Sequence, residues 1–453
     1  MPNPPVSSNE PKFGSERSLA RNTTPGLRKK EGGGRRIFVT GLGFVTSIGN
    51  DSKAVMESLV SLRHGFSVNP DFDRPDIPVS VSGGIKDFGV DSIDPEDWTF
   101  PARYRIRREV LRSMPPHGLF AHCAMIQAIE DAGLAEADIS NEECGLYTAS
   151  GGSPYLLNRH MNRMYEKGVM RCSPMGIVST VAGTLTFNLA AAFEIRGASC
   201  GFVSACASSG HALGFALDEI RLGRQKRMFV VGAEDGNRDS ILPFAGMRAL
   251  SLEKNPDKAS RPFDAARSGF VGTGGAAVMV LESEEEVARR ATSSYGEFLG
   301  WGQASDGHNV AISHPEGRGL VQSMERAMMD AGVEAGEVGY INAHAPSTLI
   351  GDLSEIRAFH TVFSKKGAFP AISSTKALTG HGLSLASVLE AGICCLAMKA
   401  SLVPGSAHIE SLDPACGELN ILRETRRETP GLILSNSSGF GGANVSLVFG
   451  ARK

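Results

Sequence analysis

The chain has 453 residues, a formal net charge of −3 and 42% hydrophobic residues. That is material for two or three domains with large cores, and the near-neutral balance gives no electrostatic reason to expect a nucleic-acid partner. No uninterrupted apolar run of about 18 residues occurs, so no membrane span is expected, and 8 cysteines without a C-x-x-C pair fit a reducing, cytoplasmic setting better than a disulfide framework or a zinc site.

Residues 1–34 are rich in Pro, Asn, Ser, Gly and charge, with almost no apolar periodicity. They read as a disordered extension. The segment has no apolar h-region and so does not read as a secretory signal; Glu10, Glu16 and Glu31 count against a transit peptide.

Order begins at Arg36-Ile37-Phe38-Val39-Thr40, a buried-strand pattern that runs into Gly41-Leu42-Gly43-Phe44-Val45-Thr46. This imitates a dinucleotide-binding turn, but Thr46 stands where the third glycine belongs. A tight glycine turn leaving the strand is the plainer reading. Asp51 caps a helix to about Leu62. Prolines keep 67–105 irregular, and Pro115-Pro116 precede a helix over 119–132 that stops at Gly133. A strand at 144–149 enters a Gly151-Gly152 loop. Helices are expected over 155–168 and 177–195, and a core strand over 228–232. A long connection leads to a strand at 276–281 and a charged helix at 283–291 that marks a joint. The rhythm then restarts, with extended chain at 295–299, a helix at 319–332 and a strand at 339–343. Helices near 352–363 and 384–400 and strands near 431–435 and 445–449 complete it. Alternating strands and helices predict an α/β protein with mainly parallel sheets. Its halves divide as 35–285 and 286–453. Each half sends a strand into small polar residues, Thr148-Ala149-Ser150 and Asn342-Ala343-His344, a faint sign of duplication.

The stretch Gly201-Phe202-Val203-Ser204-Ala205-Cys206-Ala207-Ser208-Ser209-Gly210-His211 reads as a strand, a tight turn and a helix. Leu213, Leu217 and Ile220 share one helical face. Cys206 then stands at the helix start, where unpaired N–H groups and the helix dipole favour a thiolate. A buried, inert cysteine is the competing reading.

Farther on, His344 lies in Asn342-Ala343-His344-Ala345-Pro346-Ser347-Thr348, ahead of Gly351-Asp352, and His381 in Thr375-Lys376-Ala377-Leu378-Thr379-Gly380-His381. Gly439-Phe440-Gly441-Gly442 stands near the end. With Ser204-Ala205-Cys206-Ala207, these separated motifs resemble the β-ketoacyl-acyl-carrier-protein synthases of the thiolase-like superfamily. Gly152-Ser153-Pro154 and the wording around Cys206 are closer to the first class of bacterial elongating synthase than to the second. The resemblance covers nearly all of 36–450.

It implies a five-layer αβαβα sandwich of two duplicated halves and a homodimer. It implies an acyl carrier protein as the partner that brings acyl and malonyl groups, and neither a cofactor nor a metal. Cys206 is then the acylated nucleophile, with His344 and His381 completing a Cys-His-His site. Decarboxylation of the malonyl unit leaves charge on its thioester oxygen, which imidazole N–H groups stabilise. Attack on the Cys206 thioester needs a second oxyanion hole, implied to be the backbone N–H groups of Cys206 and Phe440, with Phe440 also a gate. Lys376, Asp352, Glu355 and Glu390 match a supporting polar network, and Thr348 a hydroxyl that contacts pantetheine.

The chain also departs from that pattern. Pro346 replaces a threonine, losing a hydroxyl and an N–H, worth about 0.5–1.5 kcal/mol if uncompensated. Ser438 replaces a phenylalanine, and Ser384-Leu385-Ala386-Ser387 replaces smaller residues beyond His381. A thiolase would carry a second cysteine in the C-terminal glycine loop, where Phe440 stands, and Cys416 lies too early. A non-condensing, chain-length-factor-like subunit is the other alternative, although such chains typically lose the nucleophile. Arg103, Arg105, Arg107 and Arg108 could meet an acidic carrier if exposed.

Overall fold

Each half of the chain folds into the same sequence of elements. The computed structural model describes residues 34–72, 74–364 and 369–451, so the expected extension over 1–34, apart from Gly34, lies outside the described residues. The first set of strands is β1 (Ile37–Val45), β2 (Cys144–Ala149), β3 (Ser199–Phe202), β4 (Arg227–Glu234) and β5 (Gly275–Ser283). The second is β6 (Gly296–Ser305), β7 (Val338–Asn342), β8 (Ala371–Ser373), β9 (Leu432–Gly439) and β10 (Ala443–Gly450). The principal helices follow suit. They are α1 (Pro116–Ala132), α2 (Thr184–Ala192) and α3 (Ser208–Arg221), then α4 (Arg318–Ala331), α5 (Leu349–Phe363) and α6 (Ala386–Lys399).

The pairing repeats as well. In the first set β1 and β4 flank β5 antiparallel, β4 runs parallel to β2, and β2 parallel to β3. In the second β6 and β9 flank β10 antiparallel, β9 runs parallel to β7, and β7 parallel to β8. Among the described residues the two sets meet edge to edge where Phe38 and Val39 of β1 pair with Glu297 and Gly296 of β6, which makes one continuous run of ten strands.

Helices fill three layers around these sheets. α1 covers β1, β4 and β5, and α4 covers β6 and β10. Between the sheets lie α3 and α6, which touch each other and strands of both sets. That is the five-layer thiolase-like arrangement. The burial patterns explain it. α6 buries every residue from Ala386 to Met398, as a helix apolar on all sides must. α4 buries Leu320, Ser323, Met324, Ala327 and Met328, the single stripe of a helix with one wet face. Leu213, Leu217 and Ile220 of α3 are buried in the central core.

Several expectations shift. Gly41 and Gly43 form no turn; β1 continues through both, with a shift in its pairing register between Val39 and Gly41. A Cβ at Gly43 would lie 1.9 Å from Ala124 O, so the glycines let α1 press against the strand. Of the helix expected over 177–195, only Thr184–Ala192 forms. The strand before Cys206 ends at Phe202 instead of spanning Phe202 to Ser204. β8 was not expected, because three residues carry no readable period. Among the described residues no helix is long and apolar enough to cross a membrane.

Candidate active site

Cys206 stands in a tight turn between β3 and α3. Ala205 takes the left-handed conformation, with φ 51°. The Ser208 hydroxyl donates to Ala205 O at 2.6 Å and accepts from Ser204 N–H at 2.8 Å, which closes the turn. α3 begins at Ser208, so the cysteine precedes the helix rather than opening it. From the other half, Gly439 at the end of β9 presses on this turn. A Cβ there would lie 2.7 Å from Ser204 O and 3.1 Å from Cys206 N, so only glycine fits. Ser387 of α6 hydrogen-bonds the Cys206 carbonyl at 3.3 Å.

Both histidines come from loops at strand ends of the second half. His381 follows β8 by way of the Lys376–Thr379 helical turn. Its backbone N–H donates to Val271 O at 2.8 Å, and its carbonyl accepts from Thr273 N–H at 3.2 Å. These bonds fix it to the first half, and its Nε2 lies 3.0 Å from Cys206 Sγ. The edge of Phe270 backs the ring at a centroid distance of 5.1 Å. His344 follows β7. Its N–H and that of Ala345 donate to the two Glu355 oxygens at 3.0 and 2.7 Å. The two imidazoles stand 5.2 Å apart, nearly perpendicular at 84°. Neither Nδ1 has a hydrogen-bond partner among the described residues.

Behind the histidines lies a buried charged network. Lys376 and Glu390 form an ion pair with 1% exposure on each side chain. Asn436 donates to Glu355 at 3.2 Å. Asp352 caps the His344 loop, accepting from Ser347 and Thr348 N–H at 3.0 Å each and from Phe263 N–H at 3.1 Å. Burial raises the pKa of Glu355 and Glu390, against the pull of backbone N–H donors on Glu355 and of Lys376 on Glu390. Burial also lifts Asp352 to about 7, opposed by Arg267. Burial and the Lys376 charge hold both imidazoles well below the ordinary value of 6.5, so they are neutral.

The expectation of a thiolate stabilised at a helix start is corrected here. Burial pushes the Cys206 thiol up to about 12, and Lys376 offsets this only in part. A desolvated sulfur without a cationic neighbour in contact keeps its proton. The resting pair is therefore a neutral thiol against a neutral imidazole.

Cys206, His344, His381, Glu355, Thr348 and Phe440 all border one cavity of about 350 Å³. Lys376, Asp352 and Glu390 do not line it; they stand behind the loops that do. Pro346 and Ser438 line the cavity, whereas Ser384 bonds Glu234 and Ser387 the nucleophile's carbonyl. Ser347 beside Pro346 holds a left-handed φ of 78°. The upstream arginines lie elsewhere. Arg108 and Arg112 clamp Glu96, and Arg103 sits on the Tyr104 ring. Sequence reasoning missed Phe270 and Arg267. Arg267 bonds the Thr348 and Leu349 carbonyls at 3.1 and 3.0 Å.

A thiol and two imidazoles contributed by two halves of a five-layer fold define a condensing-enzyme architecture. The β-ketoacyl synthase N-terminal domain model matches residues 34–287, and the C-terminal domain model residues 295–410. The 3-oxoacyl-[acyl-carrier-protein] synthase 1 of Haemophilus influenzae is 37% identical over 92% of this chain and 98% of that relative. Synthase 2 of Synechocystis is 34% identical over 92% and 98%. A β-ketoacyl synthase structure from Burkholderia phymatum superposes with a TM-score of 0.85 at 29% identity, covering 92% of this chain and 100% of that one. The chain belongs to the β-ketoacyl synthase family.

Proposed function

We propose that this protein elongates an acyl chain by two carbons, condensing an acyl group held on Cys206 with a malonyl group borne by an acyl carrier protein. The observation that carries the reading is the 3.0 Å contact between His381 Nε2 and Cys206 Sγ, with the His344 ring centroid 5.2 Å from that of His381 and both rings lining the same cavity. In the first step Sγ attacks the incoming thioester and its proton passes to His381 Nε2. The carrier's thiol leaves and takes that proton. In the second step the malonyl C–CO2 bond breaks, carbon dioxide departs, and the electron pair moves onto the thioester oxygen. That oxygen accepts hydrogen bonds from His344 and His381. His381 must then hold its proton on Nε2, and no partner on Nδ1 fixes the other tautomer. In the third step the carbanion attacks the Cys206 thioester. The backbone N–H groups of Cys206 and Phe440 hold the oxyanion, and the sulfur leaves as the thiolate and takes up one proton from water.

Thr348 contacts the pantetheine arm, and Phe440 gates the cavity. Lys376, Glu390, Glu355 and Asp352 are positioning residues. The molecule works as a homodimer across β3. That strand ends the sheet with an open edge, and Ile177, Val181, Phe187 and Val203 stand exposed nearby. All eight cysteines are free thiols, which supports a cytoplasmic setting. The halves divide near the helix Glu284–Arg290.

Intact-mass measurement after incubation with acyl-loaded carriers tests the chemistry. An acyl adduct that disappears in Cys206→Ala is expected, as is a lengthened product once malonyl carrier is added. No adduct with any carrier defeats the reading.

A further inference from the structure

Glu234 closes β4 with 4% exposure, and the steps above give it no task. Among the described residues no cation forms an ion pair with it; His117, the nearby imidazole, is paired to Asp235 instead. A carboxyl buried in this way persists where hydrogen bonds replace the water it has lost. Its Oε1 accepts from the Gly151 N–H at 3.0 Å and from the Ser384 hydroxyl. Gly151 steadies the carboxyl within the first half. Ser384 belongs to the second half and stands three residues beyond His381.

The link between His381 and Ser384 is strained. Leu383 takes φ 53°, a conformation costly for a leucine and kept only where its surroundings force it. The first half holds both ends of that link. At one end are the backbone bonds of His381 to Val271 and Thr273. At the other, the Ser384 carbonyl accepts from the Ser209 hydroxyl at 2.6 Å, whose oxygen accepts from Val388 N–H at 3.1 Å. The Ser384 hydroxyl on Glu234 is the remaining hold. It is one of this chain's departures beyond His381, and the smaller residue of the resembled pattern could not make it.

We propose that Glu234 is a positioning residue: through the Ser384 hydroxyl it holds the strained Gly382-Leu383 link and so keeps His381 Nε2 on Cys206 Sγ. The proposal rests on the reading above that Cys206 takes the acyl group with His381 as its base. Neither Glu234 nor Ser384 borders the cavity, so their effect on the reaction passes through His381. Losing the hold lets the link relax and moves the imidazole off the sulfur. That slows proton transfer and leaves binding of the acyl donor as it was.

The test is single-turnover acylation of Cys206 by a purified bacterial acyl carrier protein loaded with octanoyl or palmitoyl groups, read by intact mass over a range of carrier concentrations. Ser384→Ala and Glu234→Ala lower the saturating rate about three- to tenfold and leave the half-saturating concentration within about twofold. Glu234→Gln, whose amide oxygen accepts the same two bonds, stays within about twofold of the parent. The double variant is no slower than Glu234→Ala alone, because the two residues act as one unit. Unchanged saturating rates, a loss confined to the half-saturating concentration, a Gln variant as slow as the Ala one, or multiplied losses in the double variant each overturn the proposal. Circular dichroism checks folding, and if Glu234→Ala does not fold, Ser384→Ala and Glu234→Gln decide alone. A parent that forms no adduct defeats the synthase reading, and urea denaturation of the same proteins then decides the hold. Equal midpoints for Glu234→Ala and the double variant support it, and a lower midpoint for the double variant overturns it.

Discussion

Gly439→Ala tests whether the contact between the two halves sets the nucleophile's position. Gly439 has φ −112° and ψ 163°, an extended conformation open to any residue, so alanine costs nothing in backbone strain. The cost is steric. The new methyl would sit 2.7 Å from Ser204 O, 3.1 Å from Cys206 N and 3.2 Å from Ala207 N, where ordinary contact begins at 3.4 Å. All three neighbours are backbone atoms of the nucleophile turn, so no side chain can swing aside. The turn or the Phe440 loop must retreat by several tenths of an ångström. Overpacking of this kind costs about 1–3 kcal/mol. A displacement approaching 1 Å in a reacting group costs up to about a hundredfold in rate. The expected result is acylation of Cys206 slowed by about 10- to 100-fold, with stability lowered by about 1–3 kcal/mol. Single-turnover acylation read by intact mass, beside chemical denaturation, measures both. A variant that acylates within about twofold of the parent at unchanged stability would falsify the argument that β9 seats the sulfur.

Removing Lys376 as Lys376→Met leaves Glu390 buried without its cation and lowers stability by about 3–5 kcal/mol; adding Glu390→Leu restores most of that. Urea denaturation of the two variants decides it, and equal losses would show that the pair is not coupled. The thiol pKa, pushed up to about 12, gives the pH course of Cys206 alkylation by iodoacetamide. The thiolate fraction keeps growing with pH past the ordinary cysteine value of about 8.5, with no plateau at 9. A plateau below pH 8 would mean an ion-paired thiolate and would overturn the neutral-pair description. His381, held well below 6.5, stays an unprotonated acceptor at pH 6, so single-turnover acylation persists there. Pro346→Thr returns a donor to the pantetheine path, and KM for malonyl-pantetheine falls by about two- to tenfold. An unchanged KM would place the arm elsewhere.

The parts of this molecule that were readable in advance are those with a long period or a short fixed motif. α1, α4 and α6 announce themselves by apolar spacing and by stops such as Gly133 and Gly332. Cys206, His344 and His381 were legible through short motifs, the first more than a hundred residues ahead of the other two, because each sits on a short loop with a distinctive local sequence. What escaped was whatever depends on contact across the chain. Gly41-Leu42-Gly43 looks like a turn in one dimension, and only the approach of α1 shows why the glycines are there. The state of the Cys206 proton escaped for the same reason. A helix start argues for a thiolate, but the walls that desolvate the sulfur include Gly439 and His381, from the other half. The ion pairs that occupy Arg108 and Arg112 need Glu96, more than ten residues away on an irregular segment.

The repeated topology raises the question of why one cavity, and not two, carries the chemistry. Cys206 between β3 and α3 occupies the place that His381 occupies between β8 and α6. The counterpart of His344, which follows β7, is the segment after β2 that begins with Ser150. There the side chains are sealed. Ser150 Oγ hydrogen-bonds His117 Nε2 at 3.1 Å, and His117 Nδ1 meets Asp235 at 2.5 Å, with both partners of that pair fully buried. Gly152 N–H donates to the same Ser150 hydroxyl at 3.0 Å. Every polar group at that position is spent on a neighbour, and none faces the cavity at Cys206. The second half leaves the equivalent ring of His344 open toward His381, with only its backbone N–H committed, to Glu355. The two halves therefore share one architecture and divide the labour: one holds the sulfur in a turn braced from outside, and the other brings two imidazoles into the same cavity, one of them in contact with that sulfur.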